Sequence, residues 1–520
     1  MTSHDTESGV LRGLSQTSIE QKFLAVLLIL YLVKGVTIAF VHEPFSGHDE
    51  VMHYAYLQYV AEEHRLPIIP DLGVWRAEAA AGVEDNYDRA PANLWPYCQF
   101  NTPDWNIACE SYASPTWKAT LGDELLPMGW VYTANHPPLY YLLLTPVYWA
   151  IDDLSVESQL YALRLATLPF GLLVVALAWL TVRVLFPRDR FLAMTVPTFV
   201  AFQPQISYEA AMLNNDMLAI AFTSTVIYLL LRGLRSGFPV GNVALTGFCF
   251  GLAMLSKNTS VMAGAPIAVA MILGLGVRNW REWLAKGALA ASIPALMIWP
   301  WFAYMQRTYG DFTALGRVRE LQWWNYSGGA TPTIWSQLTN QSFFWWRWKE
   351  TWGEFGWRLI PLSDALLRVI LCVVVVGTVG IGVWAIRVLR ESRRSLPGAQ
   401  RASDRADAGA AQSVFTPRKW QVAGAMTIGV TCITAYFAVL QFGVTFSLTQ
   451  ARYFFPAILP AAILLMLGFR ALIPRRWLGY SQLAIFISLV VLNIVIYSGW
   501  VLPYWATAGK HLPQIDPFFR

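Results

Sequence analysis

The sequence predicts an all-α polytopic membrane protein of about eleven transmembrane helices, with interfacial helices in a long first outer loop. Three observations lead there. Of the 520 residues, 55% are hydrophobic and 14% charged, against roughly 25% charged in soluble domains. Apolar runs near the ~20 residues that cross a hydrocarbon core recur from Phe23 almost to the carboxyl end. Lys and Arg collect in alternate connections between those runs, as they do on cytoplasmic sides. A net charge of +5 makes no case for nucleic acid as a partner.

Taken in order, residues 1–22 read as a cytoplasmic tail. The first apolar run, 23–41, is not followed by a small-residue cleavage site and reads as an uncleaved signal anchor. A polar outer segment, 42–160, comes next. Inside it the apolar stretch 137–151 is only about fifteen residues long and carries a proline, short for a crossing. Residues 152–157 are acidic without Lys or Arg, whereas the run 161–186 leads into Arg183, Arg188 and Arg190. The charge bias therefore returns the short helix to the outer face and sends only the next run inward.

With that choice, spans at 190–207, 214–232, 242–256, 259–277, 286–305, 361–387, 419–441, 451–472 and 477–503 alternate consistently. Their inner loops carry Arg232, Arg235, Arg278, Arg281, Lys286, Arg470, Arg475 and Arg476, and the outer loops at 207–214 and 442–450 carry no Lys or Arg. The expected organisation is a catalytic module at 23–305, a second outer loop at 306–360, a carboxyl-terminal bundle at 361–503 and an outer tail at 504–520. That bundle contains a cytoplasmic linker, 388–418, whose Ala-, Ser-, Arg- and Asp-rich centre reads as flexible.

Of five cysteines, Cys249, Cys372 and Cys432 fall in apolar runs and suit packing. Cys98 and Cys109 sit in the polar outer segment and form a candidate disulfide if it faces an oxidising compartment.

The densest polar cluster, Ser46-Gly47-His48-Asp49-Glu50-Val51-Met52-His53-Tyr54, directly follows the first span. Its apolar spacing predicts an amphipathic helix at the membrane surface, stopped by Pro67. Asp49 and His53 then share a face, with Glu50 about 100° away. Ser46 and Asp49 also fit a capping box, in which the acid would serve only the helix start. The histidines stand five apart, so the string is not the HExxH motif of zinc proteases. Five of seven histidines (His42, His48, His53, His64, His136) lie in or beside the first outer segment. With Asp49 and Glu50 they have the donor chemistry of a divalent-cation site, although loop solubility better explains His42 and His64.

Further along, Glu209 and Asn214-Asn215-Asp216 stand at an outer helix mouth. Acids at membrane depth are expensive and normally face protein or water. Lys257, in a short outer turn, goes against the charge bias and points to an anionic partner, the alternative being a lysine that merely snorkels. Eight of the 24 tryptophans lie between Trp323 and Trp357. They suit an interfacial belt and equally a shelf for sugar rings. Arg317, Arg319 and, opening a later span, Arg452 are placed to meet phosphate oxygens.

The Asp-Glu pair after the first span, His136-Pro137-Pro138-Leu139-Tyr140-Tyr141, Asn214-Asn215-Asp216 and Lys257 together resemble the glycosyltransferase C superfamily. That superfamily includes polyprenyl-phosphate-mannose protein mannosyltransferases and aminoarabinose transferases. The likeness covers 20–305 well and the later spans loosely. Trp352-Gly353-Glu354-Phe355-Gly356 and Gln450-Ala451-Arg452-Tyr453 are similar to a bacterial branch. The resemblance implies a fold of that type and an inverting transfer of sugar from a polyprenyl-phosphate donor to a glycan, lipid or protein acceptor, in glycan biosynthesis of the cell envelope. It implies Asp49 as general base with Glu50 and His53 in support. His136, Asn215, Asp216, Lys257, Arg319, Glu354, Arg452 and Tyr453 are then the substrate contacts. The expected setting is a plasma or inner membrane with the active site on the non-cytoplasmic side. No cofactor is required and a divalent metal is allowed; Asn-Asn-Asp in place of Asp-x-Asp argues against a strict metal requirement. A glycan ligase acting on lipid-linked polymers would share this architecture. A transporter fits less well, since its charges belong mid-helix at repeat interfaces.

Overall fold

The structure, a computed structural model, describes residues 19–83, 87–94, 97, 118–121, 124–127, 129–321, 332–356, 358–394, 414–446 and 449–507. Cys98, Cys109 and the linker centre 395–412 lie outside the described residues. Helix α1 (Ile19–Val41) opens a helical bundle. The segment between α1 and the next long helix contributes α2 (Glu50–Glu62), α3 (Leu72–Ala80), a hairpin of β1 (Lys118–Leu121) and β2 (Glu124–Pro127), and α4 (Leu139–Trp149). Then come α5 (Val156–Leu185), α6 (Arg190–Phe202), α7 (Pro204–Ala210), α8 (Asp216–Ser236), α9 (Val240–Ser256), α10 (Gly264–Leu275) and α11 (Trp280–Tyr309). The connection after α11 holds α12 (Leu315–Leu321), α13 (Ile334–Thr339), α14 (Gln341–Trp352) and the short antiparallel pair β3 (Glu354–Phe355) and β4 (Ile360–Pro361). Last are α15 (Asp364–Arg394), α16 (Lys419–Thr445), α17 (Ile458–Leu472), α18 (Leu478–Ile496) and α19 (Leu502–Thr507).

Among the described residues, nine helical segments are long and apolar enough to cross a membrane. Helices α6 and α9, of 13 and 17 residues, stand where the sequence places two further spans. The expected span 190–207 is in fact a broken helix. Gln203 adopts an extended backbone, its side chain caps the backbone N–H of Ile206, and Pro204 starts α7. A break leaves carbonyls without helical donors. Lys34 of α1 meets this need, its Nζ donating to Ala201 O at 2.5 Å and Ser207 Oγ at 2.6 Å.

Helix α4 has 11 residues, about 16 Å of rise, too short for a ~30 Å core. It lies along α2, with Tyr141 stacked on Tyr56. Helix α2 itself differs from the amphipathic surface helix expected, because every residue from Glu50 to Ala61 is buried. The rest of that segment and α4 fold over the face that the apolar spacing assigns to water. In the bundle, α8 and the segment Ala451–Leu472 are the most buried spans, whereas α15 and the last span expose Val369, Val373, Val376, Leu483, Ile487 and Val491. An apolar helix exposed in this way faces lipid. Helices α15 and α17 touch through glycines: a Cβ on Gly380 would stand 2.2 Å from Gly468 O, the close backbone approach that small residues permit.

Candidate active site

Asp49 is the N-cap of α2 with φ of 59°, in the left-handed region. Asp is among the side chains that tolerate that conformation, at a cost of about 1 kcal/mol. Its carboxylate caps nothing, so the capping-box reading does not hold. Glu50 reaches back instead, its Oε2 accepting Gly47 N–H at 2.8 Å. Only glycine fits there, since a Cβ on Gly47 would lie 2.4 Å from Glu50 Cδ. Glu50 is fully buried against Arg164 of α5 (2.6 Å) and accepts Leu213 N–H at 2.7 Å. Arg164 also donates to the carbonyls of Ala39, His42 and Glu43. The pair thus locks the exit of α1 to α5 and to the entry of α8, which leaves Asp49 turned the other way.

Each residue of Asn214-Asn215-Asp216 has its own task. Asn214 accepts Asp216 N–H at 3.0 Å and donates to Glu209, while Asn215 donates to Ser256 O at 2.8 Å, next to Lys257. The Asn215 bond brings the end of α9 to the start of α8. Lys257 Nζ consequently meets Asp216 Oδ1 at 2.6 Å. The Lys257 ammonium also sits 5.2 Å from the Tyr453 ring centroid.

Arg452 joins the two acids. Its Nη2 pairs with Asp49 Oδ2 and its Nη1 lies 3.3 Å from Asp216 Oδ2. The other oxygen of Asp49 accepts the Tyr132 hydroxyl at 2.9 Å. Residues 49, 132, 216, 257 and 452 therefore form one cluster at a single end of the bundle, with two carboxylates balanced by two cations. Burial alone would raise the Asp49 pKa; the Arg452 guanidinium and the Tyr132 hydroxyl outweigh it and hold the carboxyl well below the usual range. Asp216 and Arg452 stand at the starts of the two most buried spans, where the positive end of the helix dipole favours an anion.

Residues 32–461 match the model of a family described as predicted membrane protein (DUF2142). The chain belongs to the DUF2142 family. No curated protein matches it. Among solved structures, this DUF2142 chain is similar to the apo oligosaccharyltransferase of Archaeoglobus fulgidus, with a TM-score of 0.50 and 12% identity over 92% of this chain and 56% of that one. It is also similar to ArnT of Cupriavidus metallidurans bound to undecaprenyl phosphate, with a TM-score of 0.43 and 15% identity over 95% and 67%. The DUF2142 chain thus spans little more than half the length of the archaeal protein. At such identities the likeness is one of fold, and the fold is glycosyltransferase C-like.

The other residues singled out in the sequence occupy different places in the DUF2142 fold. His53 bonds Tyr141 through Nδ1 at 2.8 Å and stacks on His136 with ring centroids 5.8 Å apart. Burial pushes the His53 pKa down to about 3, despite Asp49 nearby, so it stays neutral. Tyr453 packs on Phe442 beside both cations. Glu354 is not in the cluster: it is buried beside Arg358 at 3.5 Å, and its backbone N–H donates to Gln205. Arg319 is exposed on α12, and none of the cluster's hydrogen bonds or ion pairs reaches it. Arg317 is held by Asp71 at 3.2 Å. His42 is not a solubilising loop residue but fully buried among Tyr208, Phe355, Tyr497 and Trp505, whereas His64 is exposed.

Sequence reasoning missed Arg164, Tyr132 and the pairing of His48 with Glu209 at 3.0 Å. An arginine inside a span is a strong signal that was open to reading. Tyr132 carries none.

Among the described residues, no group of three or more His, Cys, Asp or Glu is arranged around a common point. Asp49 and Asp216 turn their oxygens to Arg452, Lys257 and Tyr132. In this arrangement a divalent cation would bind there only in place of those contacts.

Proposed function

We propose that this protein is an inverting glycosyltransferase that moves a sugar from a polyprenyl-phosphate donor to an acceptor hydroxyl on the non-cytoplasmic face of the membrane. The observation that carries this reading is the convergence of Asp49, Asp216, Lys257 and Arg452 at one end of the bundle. Two acids with two cations suit a reaction in which a phosphate leaves and a hydroxyl attacks. The donor phosphate competes with the carboxylates for Arg452 and Lys257, and its negative charge is met there as it departs. That exchange releases Asp49 from Arg452 and raises its proton affinity toward that of a useful base.

Asp49 then takes the acceptor hydroxyl proton while the oxygen attacks the anomeric carbon. The carbon–oxygen bond to phosphate breaks, and polyprenyl phosphate leaves with the electron pair. The phosphate is a good leaving group and requires no protonation. Attack opposite the leaving group inverts the anomeric centre. The base contributes about 10²–10⁴-fold. Asp216 holds Lys257 and, through Arg452, sets the position of Asp49.

The test is reconstitution in liposomes with synthetic polyprenyl-phosphate sugars and mixed acceptors, followed by NMR of the product anomer. Inverted product from a monophosphate donor is the expected result. Turnover only of lipid-linked polymers would make the protein a glycan ligase, and retained configuration would rule out direct displacement by Asp49-activated hydroxyl.

A further inference from the structure

The tryptophan-rich helix α14 contains one buried carboxylate, Glu350, with 5% exposure. Its oxygens face three donors. Arg347 contacts both, through Nη2 at 2.9 Å and Nε at 2.7 Å, and Arg358 Nη2 pairs with Oε1. The third donor is the backbone N–H of Ala451, 2.7 Å from Oε2. Arg358 Nη2 additionally donates to Thr449 O at 3.3 Å. The residues on both sides of Gln450 are thus gripped from α14 and its following loop, one by its carbonyl and the other by its N–H. The next residue along the chain is Arg452.

Ala451 opens the 3-10 turn Ala451–Ala457 that leads into α17. A first-turn N–H has no partner within its own helix, and here a side chain from another element supplies it. Arg452 must reach two carboxylates on different elements at once, a geometry that a shift of about 1 Å would spoil.

We infer that Glu350 is the positioning residue of Arg452, fixing the backbone from which that guanidinium spans Asp49 and Asp216. This rests on the reading of Arg452 as the clamp for the donor phosphate. The second outer segment then does more than shelter the site: it sets the reach of the clamp.

A double-mutant cycle on the full-length protein tests this, with binding of polyprenyl phosphate alone as readout, so that no turnover is required. Arg452→Ala decides the underlying reading, since unchanged affinity in that variant removes the clamp. Given a loss there, Glu350→Ala should weaken binding by about 10–100-fold, and Glu350→Ala/Arg452→Ala should bind no more weakly than Arg452→Ala. Losses that multiply would show that Glu350 acts on the fold independently of Arg452 and would overturn the inference. If Glu350→Ala does not fold, Ala451→Pro takes its place in the cycle, because proline removes the N–H that Glu350 accepts and is tolerated as the first residue of a helical turn whose preceding residue, Gln450, is already extended.

Discussion

One guanidinium decides the chemistry of the cluster. Arg452 offers two parallel donors to two carboxylates held on different elements, and a planar fork does this where a lysine ammonium, a point charge, does not. Arg452→Lys should therefore lower kcat/KM for sugar transfer by about 10–100-fold while the protein still folds. Steady-state kinetics on the reconstituted variant checks this; a rate within twofold of wild type would mean the bridge is incidental. The sequence pointed to Arg452 because it is a basic residue against the charge bias of an outer loop. Arg319, chosen because a guanidinium beside the tryptophan-rich segment matches phosphate oxygens, lies exposed on α12. Charge bias reports the side of the membrane and says nothing about distance within that side.

Among the elements, those with strong local signals were legible: the long apolar spans, the short α4 before an acidic turn, and the starts of α8 and α17. Helix α2 was legible as a helix, yet its burial was not, because the layer that covers it comes from residues up to 90 positions further on. The role of α14 was hidden for the same reason: its partners Thr449 and Ala451 are about a hundred residues away. That network makes a prediction of its own. Burial, and then Glu350, push the Glu354 pKa up to about 8, against the pull of Arg358, Arg347 and Lys349. A carboxyl whose folded pKa is raised favours the fold while protonated, fully below its ordinary value near 4.5, and this stability is lost as pH rises through about 8. Thermal unfolding in detergent should show wild type weakening between about pH 5 and 8. Glu354→Gln, neutral throughout, should weaken less over that range. Equal pH dependence in both proteins would contradict the raised pKa.

At the scale of the whole molecule, the fold depends on which side of the membrane each connection occupies. Asp49 follows α1, Asp216 starts α8, Lys257 follows α9 and Arg452 precedes α17, and all four meet. They meet because α4 does not add a crossing. In a variant whose native cysteines are replaced by serine, Ser155→Cys should react with a membrane-impermeant maleimide from outside intact cells. Ser236→Cys should react only after permeabilisation. The reverse pattern would put the cluster on the cytoplasmic side and remove a non-cytoplasmic transfer.

In the proposed mechanism Asp49 is the group that accepts the proton in sugar transfer. Asp49→Asn keeps the size and the left-handed backbone preference of the residue but lacks the basicity. Reconstituted beside wild type and supplied with a polyprenyl-phosphate sugar, it should still bind polyprenyl phosphate and lose transfer by at least about 10²-fold. Transfer at the wild-type rate would contradict the account.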